Sequence, residues 1–551
     1  MIEELRSMGD QLRTAWGNYL QVYSNPRNYH PQSEIDNTSG VSSGLSRQLD
    51  TELEFISLYE SKVQEIKATI GRFRNRTSTL IPINTLPPEI LICIFHLIPA
   101  SPCNVEYLGA PRYKDQQFSK YPDYLAHVCT LWRRTAISSC SLWCHIDLSP
   151  YQSCYEALVS RAWVYAKRAG NLPIRLHIAE SSYNRDFERA HEGYSDLYKL
   201  VSHISSRVET LEFVVGRYFR GFHVAVLRNL LLSEHPTLTK LVLSSEVQYY
   251  QSSISAGSVS PYMEAESDDL QLDITEDEMA RGFAPLKVLH AHNTFPAWES
   301  NAYHGLVDLH LESPSNWTLI TLGEPIAILQ SSPGLLILHF GLQIGGLTSA
   351  LGEIAPVCLQ DLRVLKFFED CPSSHHSELL RLIIPGSKPL QLCFIGHRET
   401  DAIFLTELES FFARSFVVKF YTQNMLPPMN ILLLHAAHLE CVVLTEFSSP
   451  GSWDEYPAPW TQTNNLGSLP RLRSLHILRS NLSEAELHLL ADSCPNGTLV
   501  YACNVYATDD SHGERIRLDE TELSQAFPTV TITKSSPYPS EDPTADWDIL
   551  D

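Results

Sequence analysis

Two short stretches, LKVLHAH (residues 286–292) and LVDLHLE (residues 306–312), share one shape, Leu-x-x-Leu-x-Leu or a near equivalent. Apolar and polar residues alternate, which is the period of a β-strand with one buried face. The shape returns along the chain. It is seen in VETLEFV (208–214), LTKLVLS (238–244), LLILHFG (335–341), LRVLKFF (362–368) and LQLCFIG (390–396). FVVKFYT (416–422), LECVVLT (439–445) and LRSLHIL (472–478) complete the set. The steps are irregular but mostly about 20 to 33 residues long. Helical-looking pieces lie between the strands: VAVLRNLLLSEHP (224–236), PIAILQSSPG (325–334), SELLRLIIPG (377–386), TELESFFARS (406–415) and EAELHLLADSCP (484–495). One strand and one helix have too little apolar surface to stand alone, and stacking such units buries a continuous core.

In period this array is similar to leucine-rich repeats, although the asparagine-ladder position of tidy members is mostly missing. The expectation is a divergent leucine-rich-repeat-like α/β solenoid over residues 150–533, with strands lining a concave sheet and helices outside. An ordinary α/β domain with Leu-rich strands is the alternative. Residues 150–170 read as an amphipathic helix that packs through Leu158, Trp163 and Tyr165, and LPIRLHIAE (172–180) as a strand. Four strands carry a histidine, His290, His310, His339 and His476. Stacked, they would form a column on the concave face; the preferred reading is that they are simply polar, solvent-facing positions, and nothing in their spacing fixes a shared metal site. Residues 250–281, rich in Ser and then in Asp and Glu, read as a disordered acidic loop. The acidic, proline-rich tail 534–551 also reads as disordered, with Trp547, Ile549 and Leu550 a short docking motif.

The chain has 551 residues and a formal net charge of −23. That balance argues against nucleic acid and against an anionic membrane surface as partners. The start, MIEELRSMGD, does not read as a secretory signal, and the longest apolar run, Ile90 to Ile98, is too short to cross a bilayer. The expected location is cytoplasmic or nuclear. Cys140, Cys144, His145 and Cys154 match no zinc spacing, and no metal or other cofactor is expected. Phosphate-binding, nucleophile-elbow and metalloprotease motifs do not occur, so the chain reads as non-catalytic.

Residues 1–42 read as one helix followed by a polar linker. Over residues 43–76, Leu45, Leu49, Glu52, Ile56, Tyr59, Val63, Ile66, Ile70 and Phe73 step by alternating four and three residues. This predicts a long heptad helix, which either packs within the chain or self-associates. INTLPPEILICIFHLI (83–98) follows. Prolines at a helix start and Glu89 in the first turn suit a helix that stops at Pro99. After an inserted loop, residues 99–120, YLAHVCTLWRRTAISS (124–139) reads as a second helix, and a short segment ends in Leu142, Trp143, Ile146 and Leu148.

These pieces, Leu-Pro-x-Glu-Ile-Leu-x-x-Ile-Phe, then Val-Cys-x-x-Trp-Arg-x-x-Ala, then Leu-Trp-x-x-Ile-x-Leu, resemble the F-box. The likeness is to the F-box proteins abundant in mushroom-forming fungi, and it covers about residues 84–148; the inserted loop is a departure from the pattern. The resemblance implies a three-helix F-box over residues 80–149 within an α+β multidomain chain. It implies docking on a Skp-type adaptor, and through it a cullin, by Leu86, Pro87, Ile90, Leu91, Phe95, Val128, Cys129, Trp132 and Trp143. The chain would then be the substrate-recognition subunit of a Skp–cullin–F-box ubiquitin ligase, with a protein target, not named by the sequence, on the repeat array. The alternative is an F-box scaffold that plays no part in ubiquitination.

Overall fold

The computed structural model describes residues 2–24, 39–76, 81–98, 121–149, 152–180, 194–215, 219, 221–245, 252–257, 270–313, 319–345, 355–368, 376–396, 402–424, 438–447, 472–494, 497–508 and 515–533. The inserted loop 99–120 and the tail 534–551 lie outside them. The chain is mixed α and β and divides into two units, residues 1–87 and 88–551.

The first unit holds α1 (Ile2–Ser24) and α2 (Ser39–Arg76), so the heptad helix begins four residues earlier than the seam suggested. Its seam residues Leu49, Ile56, Tyr59, Val63, Ile66, Ile70 and Phe73 are all exposed. The one polar seam position, Glu52, accepts a hydrogen bond from the Tyr19 hydroxyl of α1 at 2.8 Å.

The second unit opens with α3 (Pro88–His96), α4 (Leu125–Val128) and α5 (Thr130–Ser138). The single helix expected over 124–139 is broken at Cys129. That residue is extended (φ −158°, ψ 172°), and its Sγ caps α5 by accepting the Trp132 N–H. One parallel sheet of fourteen strands follows, in strict chain order. Its strands are β1 (His145–Leu148), β2 (Ile174–Glu180), β3 (Val208–Val215), β4 (Lys240–Ser245), β5 (Val288–His292), β6 (Asp308–Glu312) and β7 (Ile337–Gly341). Then come β8 (Val364–Phe368), β9 (Leu390–Ile395), β10 (Val417–Gln423), β11 (Cys441–Thr445), β12 (Ser474–Leu478), β13 (Thr498–Tyr501) and β14 (Thr531–Thr533). All ten motif strands are in it. Helices α6 (Gln152–Arg168), α7 (Ser195–Ile204), α8 (Gly221–Leu231), α9 (Glu276–Phe283), α10 (Gly323–Ser331), α11 (His376–Leu382), α12 (Ala402–Arg414), α13 (Glu484–Ser493) and α14 (Glu520–Ala526) alternate with the strands.

The register is what makes this one core. Leu211, Leu241, Leu289, Leu309, Leu338, Leu365, Leu392, Phe420, Val442 and Leu475 pair each with the next across the sheet. Each is at most 1 % exposed. The next inward row, from Phe213 through Leu243, Ala291, Leu311, Phe340, Phe367 and Phe394, is buried as well.

Strand ends share a second device. Asn293, Gly396, Asn424, Glu446, Arg479 and Ala502, each just past a strand, have positive φ between 49° and 83°. The N–H groups of Asn293, Asn424, Glu446, Arg479 and Ala502 donate to the carbonyls of Glu312, Thr445, Leu478, Tyr501 and Thr533. Each donation reaches the end of the next strand.

The acidic stretch 250–281 is ordered in part, against expectation. Residues Ser252–Ser255 form a short strand and α9 covers Glu276–Phe283. Composition hid the cause: Ile254, Leu272, Ile274, Met279 and Phe283 are buried, and Glu276, Asp277 and Glu278 stand in the first turn of α9, where the dipole favours them; Glu264, Glu266, Asp268 and Asp269 lie outside the described residues. Thr275 and Glu278 close a capping box there.

Two substitutions probe these features. Leu309→Ala opens a cavity in the ladder and is expected to cost about 2–5 kcal/mol by urea denaturation. Gly396→Ala, at φ 83°, is expected to cost about 1 kcal/mol, because a Cβ disfavours that conformation.

Candidate binding surfaces

The residues singled out by the F-box resemblance divide by burial. Leu91 and Phe95, one helical turn apart on α3, are fully buried, as is Trp143. Trp143 donates from Nε1 to the Ala136 carbonyl at 2.8 Å, packs edge-on against Tyr165 and lies under the Arg168 guanidinium at 4.1 Å. These three side chains belong to the core and offer a partner no surface. Trp132 is half-buried, its ring 4.9 Å from Phe95, and Cys129 is half-buried as the cap of α5. Ile90 is 47 % exposed and Val128 is 56 % exposed. Leu97 and Ile137, which the sequence pattern did not single out, are exposed as well. In the first unit Leu86 is half-buried and Pro87 exposed.

The second surface is the sheet face opposite the leucine ladder. Register pairs His290 with His310 and His310 with His339. Their rings stack, with centroids 3.7 Å apart at 5° and 3.6 Å apart at 13°. The expectation of independent, solvent-facing histidines is therefore corrected for these three, which form a column. His476 stands in the same row but is separated from His339 by Lys366, Cys393, Tyr421 and Val443. Cys393, Tyr421 and Val443 form a buried apolar cluster with Leu478.

Carboxylates flank the column. Asp308, two residues before His310 and so on the same face, accepts from His290 Nε2 at 3.0 Å through Oδ2. Its Oδ1 lies 3.0 Å from His310 Nε2, off the alignment of a hydrogen bond. Glu312, two residues after His310, lies 3.5 Å from His339 Nδ1. Burial alone would raise the Asp308 carboxyl, but the hydrogen bond from His290 and the close approach of His310 outweigh it and hold it well below the usual range. His310 moves the other way. Burial and the neighbouring His339 and His290 overcome the pull of Asp308 and bring it down to about 4.

A separate trio, His145, Asp147 and His177, sits at the β1 edge. Both histidines lie 3.0 Å from Asp147 Oδ1, while the Arg161 guanidinium takes Oδ2 at 3.5 Å. This carboxylate is already matched by three donors. Cys140 is exposed and Cys144 half-buried, both with free thiols. Among the described residues, no helix is long and apolar enough to cross a membrane. No family model matches the chain, and no curated protein matches it.

The depressed His310 value sets a pH dependence. Between about pH 4 and pH 6.5 the unfolded chain binds a proton that folded His310 refuses. Stability therefore falls as pH drops through that window, by about 2–3 kcal/mol in all from this group. Urea midpoints measured from about pH 7 down to about pH 4.5 are expected to decline, and His310→Gln is expected to flatten the decline. Equal slopes in the two proteins would contradict this assignment.

Proposed function

We propose that this chain is the target-recognition subunit of a Skp–cullin–F-box ubiquitin ligase. In this reading residues 84–148 form an F-box that docks on a Skp-type adaptor. Residues 150–533 form a divergent leucine-rich-repeat-like solenoid whose open sheet face holds a protein target. The observation that carries the reading is the ordered F-box pattern, together with the apolar residues left over after its core is filled. Leu91, Phe95 and Trp143 account for the core, yet Ile90, Val128, Leu97 and Ile137 remain in water. Exposed apolar groups on a small helical unit are what an obligate partner would cover. The chain would act by proximity, holding a target near the loaded ubiquitin carrier, and not by group catalysis.

The exposed heptad seam of α2 favours a second reading, a self-associating scaffold that keeps the adaptor but recruits no cullin.

Co-purification with a Skp-type adaptor and a cullin separates the readings. The wild-type chain is expected to retain the adaptor. Ile90→Asp with Val128→Asp, both on the surface, is expected to weaken it at least about tenfold without altering circular dichroism. Adaptor without cullin would favour the scaffold. A folded wild type that retains no adaptor would sink both.

A further inference from the structure

We propose that His290, Asp308 and His310 form a binding site for a divalent transition metal of the zinc class, with Glu312 and His339 as its adjoining donors. The inference does not depend on the ligase reading. It starts from register. The middle strand β6 carries Asp308, His310 and Glu312 at every second position, so all three rise from one face. Pairing with β5 and β7 sets His290 and His339 on either side of His310. Three imidazoles and two carboxylates are thereby gathered on three adjacent strands.

The donor set suits the metal. Imidazole nitrogens with a carboxylate oxygen are ligands for zinc, nickel, copper and cobalt. The donor atoms of His290, Asp308 and His310 all lie within 4.8 Å of one another, as do those of His310, Glu312 and His339. Ligand atoms on bonds of about 2.0–2.2 Å stand roughly 3.0–3.5 Å apart. The two Asp308 oxygens already lie 3.0 Å from the two histidine Nε2 atoms. The contact of Asp308 Oδ1 with His310 Nε2 has this distance without the alignment of a hydrogen bond. A cation between them satisfies both atoms at once. It takes the place of the hydrogen that His290 Nε2 gives to Asp308 Oδ2, and the imidazole then carries its proton on Nδ1.

Charge favours the same trio over the adjoining one. Asp308 and Glu312 bring two carboxylates to the same three histidines, and a divalent ion would offset their charge. On the β7 side the row continues with Lys366, whose ammonium lies 5.9 Å from the Phe368 ring centre, so a cation is better placed toward His290. There the next residue in the row is Val242. His292, beside Glu312, is held by Nδ1 on the Ser245 carbonyl at 3.2 Å, which leaves its Nε2 as the acceptor nitrogen. The β1-edge trio is the built-in contrast, because the Arg161 guanidinium already occupies its carboxylate.

The test uses the full chain, stripped with chelator, and zinc and cobalt salts as the probes. Isothermal titration with zinc is expected to show one tight equivalent, and cobalt to give visible bands of a site with nitrogen and oxygen donors. Asp308→Asn and His310→Gln are expected to lose at least about tenfold in affinity. His145→Gln, at the contrasting trio, is expected to bind as wild type does. Circular dichroism confirms the fold of each protein. If the folded wild type binds no more tightly than Asp308→Asn and His310→Gln, the proposal is overturned. Loss of binding in His145→Gln with retention in the other two overturns it as well.

Discussion

Everything in the larger unit depends on in-register parallel pairing. Side chains alternate along a strand, so a slip of one residue would exchange the two faces of the sheet. Around Leu309 such a slip would drive Asp308 and His310 into the core and put Leu309 and Leu311 into solvent. Burying a carboxylate without matched donors costs several kcal/mol, and so does exposing two leucines. The leucine row therefore locks the register, and the register places every residue of the intervening row. His290, His310 and His339 stack because Leu289, Leu309 and Leu338 are buried beside them.

The turns show how the array holds without a repeated asparagine. Leaving a strand through a residue of positive φ turns its N–H onto the last carbonyl of the next strand, and the backbone itself closes the edge. Non-glycine residues in that conformation cost about 1–2 kcal/mol each. A satisfied backbone donor recovers a comparable amount. Several residue types then serve, Asn293, Asn424, Glu446, Arg479 and Ala502 alike. Side chains work in some of these turns as well: the Asn293 amide donates to the Ser245 carbonyl at 2.8 Å and accepts from Ser313 at 2.7 Å, and Arg479 Nε donates to Glu446 Oε1 at 3.0 Å.

Period-two alternation was enough to find eleven strands of the sheet, and helical spacing to find α6, α8, α10, α11, α12 and α13 but not α7, α9 or α14, because the signal comes from burial repeated over many units. The strands at either end were harder to read. In β14 the pattern is almost wholly exposed, and in β1 a polar Asp147 is buried by histidine and arginine donors. Composition misled over 250–281, where a few apolar residues at i and i+4, Met279 and Phe283, outweigh a run of acids. The break at Cys129 was invisible because both halves keep helical spacing. A column of the four histidines was conceivable from the sequence but was not the preferred reading, and only three of them form it. Spacing along the chain says nothing about ring orientation, which the pairing of three strands decides.

The same limit applies to residues 86–143, where core and interface draw on the same residue types. Geometry separates them. Helical spacing turns Leu91 and Phe95 inward together and leaves Ile90 and Leu97 outside. Trp143 is then fixed from three sides, by Ala136, Tyr165 and Arg168. The Tyr165 hydroxyl reaches on to Asp123 at 2.8 Å, which ties α6 to the start of α4. Two residues after Trp143 the chain enters β1, where Ile146 and Leu148 are buried. The helices are thus joined to the sheet through a packed core and not through a free linker. In the proposed reading, a receptor that works by proximity depends on such a joint. The effective concentration of a held target falls as the connection loosens, and a rigid one preserves orientation as well as distance. Burial of Trp143 would then serve function indirectly, by fixing the direction in which the surface around Ile90 and Val128 faces relative to the sheet.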